Sequence, residues 1–181
     1  MVSNHAAGPL VVVIGPPGAG KSTVTKRLAA RLDVDWHDTD EAIEQAQDRT
    51  ISEIFVDEGE PYFRAVERTE VARALEAFDG VLALGGGAPM DPQTQALLEG
   101  HTVVFLDVTI ADAARRVGFD RTRPLLMVNP RAQWTAMMNE RRPTYERLAT
   151  LRVDTAGRKP AAVVDEIVAR LQELQQQEEQ S

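Results

Sequence analysis

The segment Gly15-Pro16-Pro17-Gly18-Ala19-Gly20-Lys21-Ser22 constrains this chain more than any other. It fits G-x-x-x-x-G-K-[ST], a loop whose backbone N–H groups curl around phosphate oxygens. The glycines permit the tight curl, and the following helix N-terminus adds partial positive charge. The motif has the required surroundings. Leu10 to Ile14 is an apolar run that reads as a strand, and Lys21 to Leu32 reads as a helix with Val24, Leu28, Ala29 and Leu32 on one face. In that setting Gly15, Gly18, Ala19, Gly20, Lys21, Ser22 and Thr23 are the expected nucleotide-phosphate contacts. Lys21 can reach the β- and γ-phosphates, and the Ser22 hydroxyl can hold Mg²⁺. A glycine-rich turn before a helix, with no ligand, is the bland alternative.

A phosphate loop at the end of a first strand predicts an α/β domain, and the rest of the chain agrees. Strand-like runs at Val34 to His37, Val81 to Leu84, Thr102 to Leu106 and Leu151 to Asp154 alternate with amphipathic stretches. The helical stretches are Glu41 to Gln47, Ile51 to Asp57, Glu60 to Phe78, Pro92 to Leu98, Ala111 to Val117, Arg131 to Thr150 and Ala161 to Leu174. The reading is a P-loop kinase fold around a mainly five-stranded parallel sheet flanked by helices. Pro143 should kink or restart the long helix that contains it. Gly118 to Pro130 reads as a mobile loop, and Gln175 to Ser181 as a frayed polar tail. With 181 residues, one kinase domain spanning 1–181 is expected.

Composition narrows the partners. The formal net charge of −8 disfavours nucleic acid and anionic lipid. No apolar run is long enough for a membrane span, and no signal peptide is evident. Cysteine is absent, which removes disulfides and thiolate metal sites. A cytoplasmic protein without membrane or nucleic-acid partners is the expectation. The acidic surface and lack of a long apolar patch point to a monomer. Seventeen of the twenty basic residues are arginine, so no single arginine is special by its mere presence.

A P-loop enzyme also needs a carboxylate near the metal. Val103-Val104-Phe105-Leu106-Asp107 has the apolar-run-then-Asp form of a Walker B segment, but the place of Asp107 between a strand and a helix favours a turn or cap residue. Asp38-Thr39-Asp40 is the competitor. It follows the second strand, at the edge of a parallel sheet where the P-loop also lies. Two acids at alternate positions can serve a metal and an acceptor hydroxyl. Alternatively, Thr39 or Asp40 merely caps the helix that begins near Glu41.

Taken together, these motifs resemble the shikimate kinase family over about Leu10 to Leu171. The features that carry the resemblance are Asp38-Thr39-Asp40, Gly59-Glu60 with Phe63-Arg64 and Glu67, Val81 to Ala88 ending in Gly85-Gly86-Gly87, Arg123-Pro124-Leu125-Leu126, Arg141 with Pro143 and Tyr145, and Arg152-Val153-Asp154-Thr155. The resemblance implies that Asp40, Arg64, Gly86 and Arg141 hold shikimate and that Asp38 supports Mg²⁺. It implies that Arg123 closes over the ATP phosphates from a lid at about 117–130 and that Arg158 lies beside the adenine. Phe55 and Phe63 would line the substrate pocket, and a substrate-binding segment would span about 33–61. Lys21, Asp40 and Arg123 would be the catalytic residues. The implied reaction is phosphoryl transfer from ATP to the 3-hydroxyl of shikimate. Pro89 stands where the family usually has an aliphatic residue.

The residues also bear other readings. Arg64 is spaced for surface pairing with Glu60 and Glu67. Arg142 follows Arg141 directly, and the distance to Pro143 and Tyr145 favours Arg141 as the binding group. The phosphate loop also resembles that of adenylate kinases, which makes a nucleoside monophosphate kinase the alternative enzyme. A nucleotide-dependent regulatory module is a further class, but no Asn-Lys-x-Asp stretch is present to read guanine.

Overall fold

The computed structural model describes residues 8–117 and 129–180. Five parallel strands form one sheet in the order β2-β3-β1-β4-β5. They are β1 Val11–Ile14, β2 Trp36–Asp38, β3 Val81–Ala83, β4 Val103–Asp107 and β5 Leu151–Asp154. The three central strands are buried at every residue, which explains their continuous apolar sequence. Edge strand β5 alternates buried and exposed residues, as one-sided burial requires.

The helices are α1 Lys21–Leu32, α2 Thr39–Gln47, α3 Ile51–Asp57, α4 Glu60–Ala77, α5 Pro92–Leu97, α6 Ile110–Val117, α7 Pro130–Leu148 and α8 Pro160–Glu179. The chain leaves β1 for β2 at one edge, returns to β3, then passes to β4 and β5 on the other side. Such a reversal of winding leaves a crevice at the carboxyl ends of the strands, where open parallel sheets bind ligands. The main core joins the strands to α1, α4, α7 and α8. A second, smaller core of Ile43, Ile54 and Phe63 packs α2, α3 and α4 together beside that crevice. Among the described residues, no helix is long and apolar enough to cross a membrane.

Several boundaries differ from the sequence reading for local reasons. Helix α2 begins at Thr39, two residues before Glu41, because the Asp38 side chain accepts from the Asp40 and Glu41 N–H groups and caps it. The cap is therefore Asp38 rather than Thr39 or Asp40. Strand β4 includes Asp107, whose pairing with Asp154 continues the ladder to β5. Helix α7 continues across Pro143 without ending there. Its buried Trp134, Met138 and Tyr145 hold both halves to the core, which offsets the one helical hydrogen bond that proline removes. Helix α8 extends through Gln175 to Glu179, past the last apolar residue of its repeat.

Candidate active site

The phosphate loop is built by close packing before any ligand arrives. Gly15 has φ 151°, and a Cβ there would stand 2.6 Å from the Leu106 carbonyl oxygen, so only glycine fits between β1 and β4. Ala19 is fully buried beneath the loop. The Trp134 indole N–H donates to the Pro17 carbonyl at 3.0 Å, tying α7 to the loop. Gly18, Gly20, Lys21, Ser22 and Thr23 line a cavity of about 380 Å³ together with Arg116. Lys21 folds onto its own loop, donating to the Gly15 and Pro16 carbonyls at 2.9 and 3.3 Å. Burial pushes its ammonium pKa down, against the pull of Asp40 and Asp38. An anion in the cavity would add to the countercharge that Asp40 and Asp38 offer this buried lysine.

Asp38 serves two tasks with two oxygens. One carboxylate oxygen caps α2, at 3.0 Å from the Asp40 N–H. The other accepts from the Ser22 hydroxyl at 2.7 Å. Ser22 and Asp38 thus form a small, hard oxygen pair beside the phosphate cavity. That donor set fits Mg²⁺, which takes one or two protein oxygens and completes its shell with water and phosphate. It does not form an all-protein cage, and no cluster of three or more His, Cys, Asp or Glu suited to a metal occurs among the described residues.

Asp40 differs from Asp38 in every respect that matters chemically. Its Oδ1 is buried and has no hydrogen-bond partner. Burial first, then the charge of Asp38, push its carboxyl pKa up from 3.8 to about 6, although Lys21 pulls the other way. An unpaired buried carboxylate oxygen needs an explanation, and an incoming donor is the simplest. Behind it, Glu67 is 3% exposed, and burial raises its pKa against the hydrogen bond from Arg64.

Arg64 pairs with Glu60 at 3.2 Å and with Glu67 at 2.7 Å, the partners its helical spacing suggests. These pairs use Nε and Nη1; among the described residues Nη2 has no acceptor. The guanidinium also packs on Phe63 and Phe55, at 5.3 and 6.0 Å from the ring centroids. Surface pairing and site placement therefore coexist in one residue. Gly87 makes room for it: a Cβ there would sit 2.7 Å from Arg64 Nη2.

The two adjacent arginines on α7 go different ways. Arg142 makes a bidentate pair with Asp107 at 2.7 and 2.9 Å. Asp107 also accepts from Arg152 at 2.6 Å. Burial would raise the Asp107 pKa, but the hydrogen bonds from Arg142 and Arg152 outweigh it and hold the carboxylate low. Asp107 is a clamp between strands and α7, not a free Walker B acid. Arg141 instead sits by the glycine run, 3.7 Å from where a Gly86 Cβ would stand, and its charge acts on the Tyr145 hydroxyl.

On the nucleotide side, Arg158 lines a second cavity with Ala19, Gly20, Thr23 and Arg116. Its guanidinium is held by Glu166 at 2.6 Å and by the Asp154 and Ala162 carbonyls. Arg123, and positions 118–128 of the expected lid, lie outside the described residues. Sequence reasoning missed Arg116. It donates to the Gly18 and Ala19 carbonyls at 3.1 and 3.2 Å and to Thr155 at 3.0 and 2.7 Å. Its only sequence signal is its place at the end of α6, where a basic side chain also suits the helix dipole.

Comparison with known proteins points one way. The family model described as shikimate kinase matches residues 17–172. The shikimate kinase of Rhodococcus jostii is 48% identical over 91% of this chain and 99% of that protein. The shikimate kinase of Thermobifida fusca is 53% identical over 90% of this chain and 95% of its own length. The solved structure of a shikimate kinase from Acinetobacter baumannii in complex with shikimate superposes with a TM-score of 0.83 at 30% identity, covering 93% of this chain and 94% of that one.

Proposed function

The chain belongs to the shikimate kinase family, and we propose that it transfers the γ-phosphoryl group of ATP to the 3-hydroxyl of shikimate. The products are ADP and 3-phosphoshikimate, on the route to chorismate and the aromatic amino acids. The observation that carries this reading is the Asp40 oxygen, buried and unpartnered within the field of the phosphate-loop lysine and beside the glycine run that Arg64 and Arg141 approach.

Shikimate is a carboxylate with three hydroxyls. Arg64 and Arg141 come from distant helices and supply two planar guanidinium groups, which suit a carboxylate better than ammonium groups do. Gly86 lets the acceptor approach the backbone. Asp40 orients the acceptor hydroxyl for in-line attack and takes its proton late in a loose transition state. Lys21 neutralises charge on the transferring group, and Gly15, Gly18, Ala19, Gly20, Ser22 and Thr23 cradle the phosphates. Ser22 and Asp38 hold Mg²⁺, which, when bound, offsets charge on the β- and γ-phosphates. Arg158 and Arg116 flank the base of the nucleotide, and Arg123 closes from a lid over 117–130. The enzyme works as a cytoplasmic monomer.

The test is steady-state ADP release with shikimate, gluconate and AMP as separate acceptors, on wild type and Arg64→Lys. Wild type should use shikimate at least about 100-fold better than AMP, and Arg64→Lys should raise the shikimate KM about tenfold or more, because an ammonium cannot make two parallel hydrogen bonds. Preference for AMP would support a nucleoside monophosphate kinase instead. Unaltered shikimate kinetics in Arg64→Lys would remove that arginine from the site.

A further inference from the structure

Tyr145 is a polar group sealed in the core next to the acceptor arginine. It is fully buried and stacks on Phe105 at 5.2 Å between ring centroids. Its hydroxyl donates to the Gly86 carbonyl at 2.6 Å, and the charge of Arg141, one helical turn earlier, acts on it. One oxygen therefore ties the glycine run after β3 to α7, next to Arg141. Burial drives the phenol pKa up, so the hydroxyl stays protonated and remains a donor throughout the working pH range.

The consequence follows from peptide geometry. No peptide bond in the described chain is cis. In a trans peptide the carbonyl of one residue and the N–H of the next point in opposite directions. Fixing the Gly86 carbonyl on Tyr145 therefore turns the Gly87 N–H away from α7. Among the described residues, neither the Gly86 nor the Gly87 N–H finds an acceptor, whereas the neighbouring Gly85 N–H is taken by Thr39 at 3.1 Å. Gly87 is also the residue against which the Arg64 guanidinium rests. Two open N–H groups and two guanidinium groups thus meet at one turn of the chain.

We infer that Tyr145 is a positioning residue for the acceptor: it orients the Gly86–Gly87 peptide beside Arg141, so that backbone N–H groups and guanidinium act on the same carboxylate or hydroxyl. This rests on the functional reading above. Without the hydroxyl the peptide is free to rotate and the Gly86 carbonyl loses its partner.

Tyr145→Phe keeps the ring and its stack on Phe105, so the fold is retained. It should raise the shikimate KM about tenfold, the loss expected from unpairing a buried carbonyl and loosening its neighbours, while the ATP KM moves less than about twofold. Met138→Ala, a buried change on the same helix with no bond to Gly86, is the control. It should lower Tm at least as far as Tyr145→Phe yet leave the shikimate KM within about twofold. Direct titration of shikimate onto both variants should give the same split. An unmoved shikimate KM in Tyr145→Phe, or the same rise in Met138→Ala, would overturn the inference while wild-type activity stands. Wild type that ignores shikimate would overturn the functional reading and this inference with it.

Discussion

Asp40→Asn should make the protein more stable and far less active, and the two effects have one cause. Burial and the neighbouring Asp38 raise the Asp40 carboxyl from 3.8 to about 6. The folded state therefore holds this proton more tightly than the unfolded chain, so stability falls as pH rises from about 4 to about 6 and stays reduced above that. A displacement of about two pH units, at ~1.4 kcal/mol each, is a penalty of about 3 kcal/mol at pH 8. Asparagine has no charge to desolvate. The variant should gain about 1–3 kcal/mol over wild type in urea denaturation at pH 8, and the gain should shrink to about half at pH 5 and vanish near pH 3.5. If Asp40 orients the acceptor and takes its proton, as proposed, the same substitution should lower kcat by about 10² to 10⁴ with little change in ATP affinity. Wild-type kcat/KM for the acceptor should drop below about pH 6 as Asp40 protonates, and that limb should be missing from the residual rate of the variant. A variant that is less stable than wild type at pH 8, with no pH dependence in the difference, would show that Asp40 is not strained by its surroundings. A kcat within about tenfold of wild type would show that it does not act on the acceptor.

Lys21→Met should leave Tm within a few degrees, because among the described residues the lysine bonds only carbonyls of its own loop, while phosphoryl transfer falls by about 10³ or more; activity within tenfold of wild type would refute the phosphate-loop role. The two adjacent arginines should separate cleanly. Arg141→Ala should weaken shikimate binding about tenfold or more at nearly unchanged stability, whereas Arg142→Ala should cost about 1–3 kcal/mol in denaturation, because it leaves the largely buried Asp107 with one partner fewer. Equal effects of the two on shikimate KM would contradict this division. Acidification should release the same clamp: Asp107 is held below its ordinary value, so its contribution is present at neutral pH and lost as pH falls below about 4. An Asp107→Asn variant should show less acid sensitivity than wild type in a Tm-versus-pH series.

Much of the frame was legible in the residues themselves. The central strands are buried on both faces, so Val11 to Ile14, Val81 to Ala83 and Val103 to Leu106 had to be continuous apolar runs. The phosphate loop was legible because its chemistry is local. Its glycines, lysine and serine fall within eight consecutive residues, and β1 and α1 stand on either side of them. The carboxylate pair after β2 was legible as a pair, because parallel strands bring their carboxyl ends to one edge.

What each member does was decided only by tertiary contact. Asp38 both caps α2 and meets Ser22, because its two oxygens face two different elements. Asp40 is a strained acid only because Gly85, Glu67 and Asp38 surround it without donating to it. The choice between Arg141 and Arg142 turns on rotation about a helix axis. Neighbouring residues there point about 100° apart, and nothing local says which direction is inward. The strand-end Asp107 claims one of them for structure and leaves the other to the glycine run. Periodicity and motif spacing set which elements form. The partners of a side chain depend on what other elements, far away in sequence, bring within 3 Å of it, and that is information a single segment of chain does not contain.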